Sequence, residues 1–238
     1  MDWNKIENLR GPHYRRYNAA MGRYFRKIGA KIADIDTDSA MLLRLEAHAI
    51  IDNAGLYKII GDNDAKTIGD FGKRSYNELS SSKAFDIFAF GLWNFIMNRA
   101  FMTAVKIDTS SKFFMDRLID KSIEEGLGIP QVAGLIGQFF KTSKERALRI
   151  ARTEVVSASN LGSFEGAKQT GLELNKFWIA TRDKKTRPTH RKADGQTVKM
   201  NERFRVGRAA LLYPGDKDGP PGEIINCRCA VGYKEAKI

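Results

Sequence analysis

The sequence predicts an α+β protein: a mostly helical N-terminal region followed by a compact C-terminal α+β domain with short strands and long loops. Three observations carry this. Apolar residues recur at three- and four-residue steps through the first two-thirds of the chain, the period of a helix with one buried stripe. At Asn175 the pattern changes to the alternation of a strand, in KFWIATRD around Trp178. Beyond it lie the turn-forming pieces ADG and YPGDKDGPPG, and four of the six prolines fall after residue 187. The chain is read as a basic amphipathic helical arm (1–35), a helical domain (36–124) and a C-terminal α+β domain (125–238).

In the arm, Tyr14, Tyr17, Met21, Phe25, Ile28 and Ile32 make one stripe, with Arg15, Arg16, Arg23, Arg26 and Lys27 opposite. Pro12 suits the first turn of this helix. The stripe fits a surface helix packed on the body, or an arm that docks on a partner through Tyr17, Met21, Arg23 and Phe25. Asp38 or Ser39 can cap the next helix, which holds the lone His48. The segment from Ala84 to Val105 reads as aromatic and mostly buried, and FFMDRLIDKSIEEGLG as a short helix ended by Gly126 and Gly128. Pro130 opens another helix, and Ser143 and Gly171 bracket the last long one.

The net charge is +12 and unevenly spread. Residues 1–31 carry +6, residues 32–140 carry −4, and residues 141–238 carry +10. Two basic ends around an acidic middle point to a polyanion or an acidic protein surface as partner. Two cysteines exclude a disulfide scaffold and suggest a reducing compartment. The N-terminus has no apolar core of a secretory signal. The uncharged run Ile87–Asn98 is twelve residues long, against about 20 for a membrane span, so it reads as a core helix.

Two segments could carry chemistry. RIARTEVVSASN sets Arg152, Glu154 and Asn160 on a helix of small and apolar residues, either as surface ion pairs or as a set that braces the following loops. TRDKKTRPTHRKADGQ is denser. Arg182, Lys184, Lys185, Arg187, Arg191 and Lys192 suit phosphate contacts, which set affinity without reading sequence. Both cysteines sit in one C-x-C, Cys227 and Cys229. They could be two packed thiols. In an extended chain they would share a face, with Arg228 opposite, and supply half a tetrahedral zinc site. His190 could then be the third ligand and Asp183 the fourth.

Together these pieces resemble the C-terminal domain of the phage Mu F-like minor head proteins, also called phage head morphogenesis proteins. The likeness rests on ARTE, W-x-A-x-x-D-x-x-T-R-x-x-H from Trp178 to His190, the Asp194–Gly195 pair, YPGD and NCRC, in this order, over about residues 125–233. The resemblance implies a virion protein of few copies near the portal inside the head, assembled in the host cytoplasm. Its partners would be the portal protein, with the major head protein or a scaffold, and DNA in packaging or ejection. No catalytic residue of the family carries over, so no enzyme is expected, and zinc is the sole cofactor considered. The alternative is a genome-delivered enzyme of ADP-ribosyltransferase-like or nucleic-acid-modifying type, resting on Arg152, Glu154 and His190. Against it, the chain shows neither paired catalytic carboxylates nor a glycine-rich phosphate loop.

Overall fold

The computed structural model describes residues 3–79 and 84–236, apart from the Phe90 side chain. In chain order the helices are α1 (Trp3–Ala33), α2 (Ala40–Ile50), α3 (Asn53–Leu79), α4 (Leu92–Glu124, after a short 3-10 turn at Ala89–Gly91), α5 (Ile129–Thr142) and α6 (Lys144–Gln169). There follow β1 (Leu174–Ile179), α7 (Pro188–Ala193), β2 (Thr197–Lys199), β3 (Phe204–Val206), β4 (Ala209–Leu211), α8 (Pro221–Ile224) and β5 (Ala230–Glu235). The α+β class holds. Local chemistry sets several boundaries. Ser39 Oγ accepts from Leu42 N at the start of α2, and Pro130 sits in the first turn of α5. Gly126 and Gly171 adopt φ of +77° and +71° just past α4 and α6, where a side chain would be strained.

The chain forms two compact units, which regroup the segments expected from the sequence. The first takes residues 1–16, 63–93 and 149–238. Its sheet has the order β2-β1-β5, all antiparallel, with Phe177 opposite both Thr197 and Gly232, and β3 pairs with β4 as a separate hairpin. Helix α6 packs on α3 through Gly162 and Gly166. A Cβ on Gly162 would lie 2.4 Å from the Ile68 carbonyl oxygen, and one on Gly166 would lie 2.2 Å from that of Gly72.

Pro12 does not open a helix. It lies inside α1, which starts nine residues earlier. An internal proline costs about 3 kcal/mol, and contacts on its N-terminal side offset this. Ile6 packs with Phe71 and Ala230, Trp3 Nε1 donates to the Arg228 carbonyl at 2.9 Å, and Arg10 is fully buried.

The second unit takes residues 17–62 and 94–148. Tyr17, Met21 and Phe25 are interior here, at 0%, 0% and 1% exposure, with Leu43, Ile136 and Phe140 also in the core. Of the four arm residues expected to dock on a partner, Arg23 alone lies at the surface. His48 Nε2 meets Asp116 Oδ1 at 2.8 Å, an ordinary hydrogen-bonded contact. Arg146 stacks over Phe25 and donates to Ser111 Oγ at 2.7 Å.

Two expectations change. The aromatic segment is buried on one face only: Leu92, Ile96 and Ala100 are interior, while Phe88, Phe95 and Phe101 are half or more exposed. FFMDRLIDKSIEE is not a separate short helix but the last turns of α4, because nothing between Leu92 and Glu124 breaks the helix. Among the described residues no helix is long and apolar enough to cross a membrane.

Strand β1 turns Leu174, Lys176 and Trp178 inward. Lys176 is fully buried, donates to the Leu212 carbonyl at 2.8 Å and lies 4.9 Å from the centre of the Phe164 ring. Burial lowers its pKa from the ordinary 10.5 to about 8.

Three outcomes follow from this packing. Gly166→Ala forces a methyl into the Gly72 carbonyl and is expected to cost about 1–3 kcal/mol, read as a lower Tm. Gly134→Ala, with open space around it in α5, is expected to stabilise by about 0.5–1 kcal/mol. An unchanged Tm for Gly166→Ala would mean that α3 and α6 do not approach so closely. For Lys176 the folded pKa lies below the unfolded one. The unfolded chain therefore binds more protons between about pH 8 and 10.5, and this group's contribution to stability rises with pH across that window. Urea unfolding of wild type and Lys176→Met within and below the window should show wild type gaining on the variant as pH rises. A constant difference would mean that burial does not strain the ammonium.

Candidate functional site

Helix α6 is a rail to which the motif loops of the first unit are tied. From Glu154 to Phe164 it is buried on every side, and small residues such as Ser157, Ala158, Ser159, Gly162 and Ser163 let neighbouring segments approach closely. Thr153 Oγ1 accepts from Asn226 N at 2.9 Å, and Arg152 Nη1 donates to Asn226 Oδ1 at 2.9 Å. Asn226 stands at φ 58°, a left-handed turn that asparagine tolerates. Glu154 pairs with Lys217, and Ser157 Oγ donates to the Gly215 carbonyl. Asn160 is saturated. Its amide donates to the carbonyls of Pro214 (2.8 Å) and Cys229 (3.1 Å), and its carbonyl accepts from Val231 N (3.1 Å) and Arg10 Nη2 (3.2 Å). Arg152 thus reaches NCRC at Asn226, Glu154 reaches Lys217 just after YPGD, and Asn160 bonds both segments.

Arg10 comes from the far end of the sequence. Its guanidinium, fully buried, donates to Ser159 Oγ at 2.8 Å and to the carbonyls of Arg228 and Cys229, each at 3.2 Å. Glu7 lies 3.6 Å away and supplies the opposite charge. Nothing in the local sequence marks Arg10 among the other arginines of the arm. Its one signal is position: it falls on the stripe side, seven residues before Tyr17, with the arm's other arginines on the polar face.

The loop between β1 and α7 is fixed by its own polar side chains. Asp183 accepts from Lys185 N, and Thr186 Oγ1 donates to the Thr181 carbonyl and to Asp183. Asp194 Oδ1 accepts from Ala180 N at 2.9 Å. On this frame Arg182, Lys184, Lys185, Arg191 and Lys192 are exposed, and Arg187 is half-buried with its Nη2 bonded to the Ile225 carbonyl. An open groove is lined by Thr181, Arg182, Asp183, Lys184, Arg191 and Asp194. Arg182 shares its charge with Asp194 at 3.2 Å, which leaves Lys184 and Arg191 as the other cations that line the groove.

Behind the loop lies the C-x-C segment. It runs in extended chain just before β5 rather than within the strand, yet the alternation persists: Cys227 and Cys229 are buried and Arg228 faces the other way. His190, Cys227 and Cys229 bring their donor atoms within 4.8 Å of one another. His190 Nδ1 lies 3.3 Å from Cys229 Sγ and 3.7 Å from Cys227 Sγ, and Nε2 lies 2.9 Å from Glu223 Oε2. Trp178 packs edge-on against the imidazole, at 5.6 Å between centroids. The hydrogen bond between the thiols lowers the pKa of Cys227 and raises that of Cys229, with burial adding to the rise.

Asp183 does not join this group. Both its oxygens are taken by the Arg228 guanidinium, which holds its carboxyl well below the usual range. The reason is the alternation itself: Arg228, between the two cysteines, points to the opposite side and meets Asp183 there. Glu223, on α8, is the carboxylate that reaches His190.

Residues 115–232 match the family described as Phage Mu protein F like protein. The chain is 37% identical over 108 residues to the NAD(+)–arginine ADP-ribosyltransferase EFV of Enterococcus faecalis (strain ATCC 700802 / V583), covering 44% of this chain and 22% of that protein. It is 34% identical over 122 residues to minor head protein GP7 of Bacillus phage SPP1, covering 48% and 38%. It is 26% identical over 121 residues to YqbB of Bacillus subtilis (strain 168), covering 49% and 40%. The chain spans at most about two-fifths of the length of these relatives. No solved structure matches. The motif loops held by α6 all fall within the matched residues, and through residues 115–232 the chain belongs to the Phage Mu protein F like family.

Proposed function

We propose that this protein is a minor head protein that acts in phage head morphogenesis, sits at the portal and contacts DNA as it is packaged or ejected. The observation that carries the reading is the family match over 115–232, joined to a relative named as a minor head protein. Two surfaces support it. In the first unit, four exposed cations, Lys184 and Lys185 on the loop and Arg191 and Lys192 on α7, have no acidic partner among the described residues and stand on a frame locked by Asp183, Thr186 and Asp194. Such a row suits phosphates spaced along a backbone and requires no base readout. In the second unit, Met41, Leu45, Phe95, Phe101, Met102 and Phe113 are each more than half exposed. Side chains of this size on one unit fit contact with other head proteins, the portal protein first and the major head protein or a scaffold beside it.

The second reading, an enzyme delivered with the genome, draws on the relative named as an ADP-ribosyltransferase, of which the alignment covers 22%. Arg152, Glu154 and His190 would have to carry that chemistry. Glu154 and His190 are 4% and 2% exposed, and Arg152 and Glu154 are engaged with Asn226 and Lys217. A tethering role accounts for them with no reaction.

Three measurements test these readings. Heads purified from the phage that encodes the chain should contain it in few copies and cross-linked to the portal protein. Heads that lack it would end the proposal. Duplex DNA binding should weaken with salt, and replacing Lys184, Lys185 and Arg191 by Gln should flatten the log–log salt slope by about three. An unaltered slope would move the DNA contact to another surface. Incubation with NAD and an arginine-bearing acceptor should give no transfer. Turnover abolished by Glu154→Ala would replace the structural reading with the enzymatic one.

A further inference from the structure

We propose that His190, Cys227 and Cys229 form a zinc site, with Glu223 as the outer carboxylate that orients the histidine. The distances fit. With Zn–S near 2.3 Å and Zn–N near 2.0–2.1 Å, an N···S edge of a tetrahedral site is about 3.6 Å. The two N···S separations here are 3.3 and 3.7 Å. All three residues are 2% exposed, and their donor atoms lie within 4.8 Å of one another.

The surroundings fit as well. Glu223 accepts from Nε2–H, which leaves the Nδ1 lone pair facing the two sulfurs. Thr189 Oγ1 donates to the same Glu223 oxygen at 2.9 Å and fixes its position. A carboxylate on the far nitrogen of a metal-bound imidazole is the usual outer partner of such a ligand. The Cys229 backbone N–H points at Cys227 Sγ at 3.4 Å, a contact that favours a thiolate. Two sulfurs and an imidazole select zinc over magnesium or calcium. Three donors leave one position of the tetrahedron for water or an outside group. The ion would join α7 to the chain entering β5, and so clamp the basic loop from behind. This assignment stands on the cluster alone and does not depend on a role in phage heads.

The test uses the full chain, reduced and purified without a metal-binding tag. Elemental analysis should give about one zinc per chain, and stripping with a chelator should lower Tm. The stripped chain should take up cobalt(II) with a sulfur-to-cobalt charge-transfer band and the intense visible absorption of a tetrahedral site. Cys227→Ser with Cys229→Ser should lose both. Glu223→Gln should keep the stoichiometry at saturating metal but weaken affinity by about 10–100-fold. If the double variant does not fold, the cobalt spectrum of the wild-type chain decides. Failure to take up zinc or cobalt while both thiols titrate as reduced would overturn the proposal. So would zinc that survives loss of both cysteines, or a cobalt spectrum without the sulfur band.

Discussion

A buried guanidinium meeting a buried amide is the constraint on which the first unit depends. Arg10 is a full charge withdrawn from water, and that is tolerable only because its N–H groups find oxygen at every side. Those oxygens include the backbone carbonyls of Arg228 and Cys229. Asn160 closes the arrangement from the other side, bonding the Cys229 carbonyl and the Val231 N–H. The chain before β5 has little ladder of its own, so these side chains do what a neighbouring strand would otherwise do. Loss of Asn160 would take the partners of the Pro214 carbonyl and the Val231 N–H, at about 1–3 kcal/mol each, and loss of Arg10 would leave the Arg228 and Cys229 carbonyls to Trp3 and Asn160 alone.

Once that segment is fixed, the rest follows by adjacency. Cys227 and Cys229 face His190 because the extended chain alternates, and Arg228 faces Asp183 for the same reason. The basic loop is therefore held from both sides: by Arg228 at its tip, and by the His190–Glu223 contact at the helix that follows it. Of the cations on this frame, Arg182 is paired with Asp194 and Arg187 is bonded to the Ile225 carbonyl, while Lys184, Lys185, Arg191 and Lys192 extend from it exposed.

What the sequence disclosed was of two kinds. Local chemistry could be read directly: the Ser39 cap, the helix-ending Gly126 and Gly171, the start at Pro130, and the alternation around Trp178. The motif ensemble also placed His190 with the C-x-C, since few residue types bind as they do. Pairings across long stretches of chain could not be read, because they leave no local period. Arg10 with Asn160 is one, 150 residues apart. The choice of Glu223 over Asp183 is another, since both carboxylates lie within reach of the loop on paper and only the fold shows that Arg228 has claimed Asp183. The exposed phenylalanines of α4 were misread because an uncharged run looks buried all round, whereas its inward face runs through Leu92, Ile96 and Ala100 and leaves Phe95 and Phe101 outside. Lys176 was unreadable for the opposite reason: a lysine inside a strand is taken for the solvent side.

The pairing of residue 10 with residues 160 and 229 also orders events in time. A ribosome releases the first helix long before the C-x-C segment exists. The ring of contacts that Arg10 completes must enclose almost the entire chain, and loops of that length close late. Until then Arg10 keeps its water and Asn160 its unmet bonds. A chain broken off before residue 226 can form α6 and its contacts with α3, Pro214 and Gly215 but lacks the carbonyls of Arg228 and Cys229 that Arg10 bonds. Until that ring closes, the segment that backs the basic loop is not held in place.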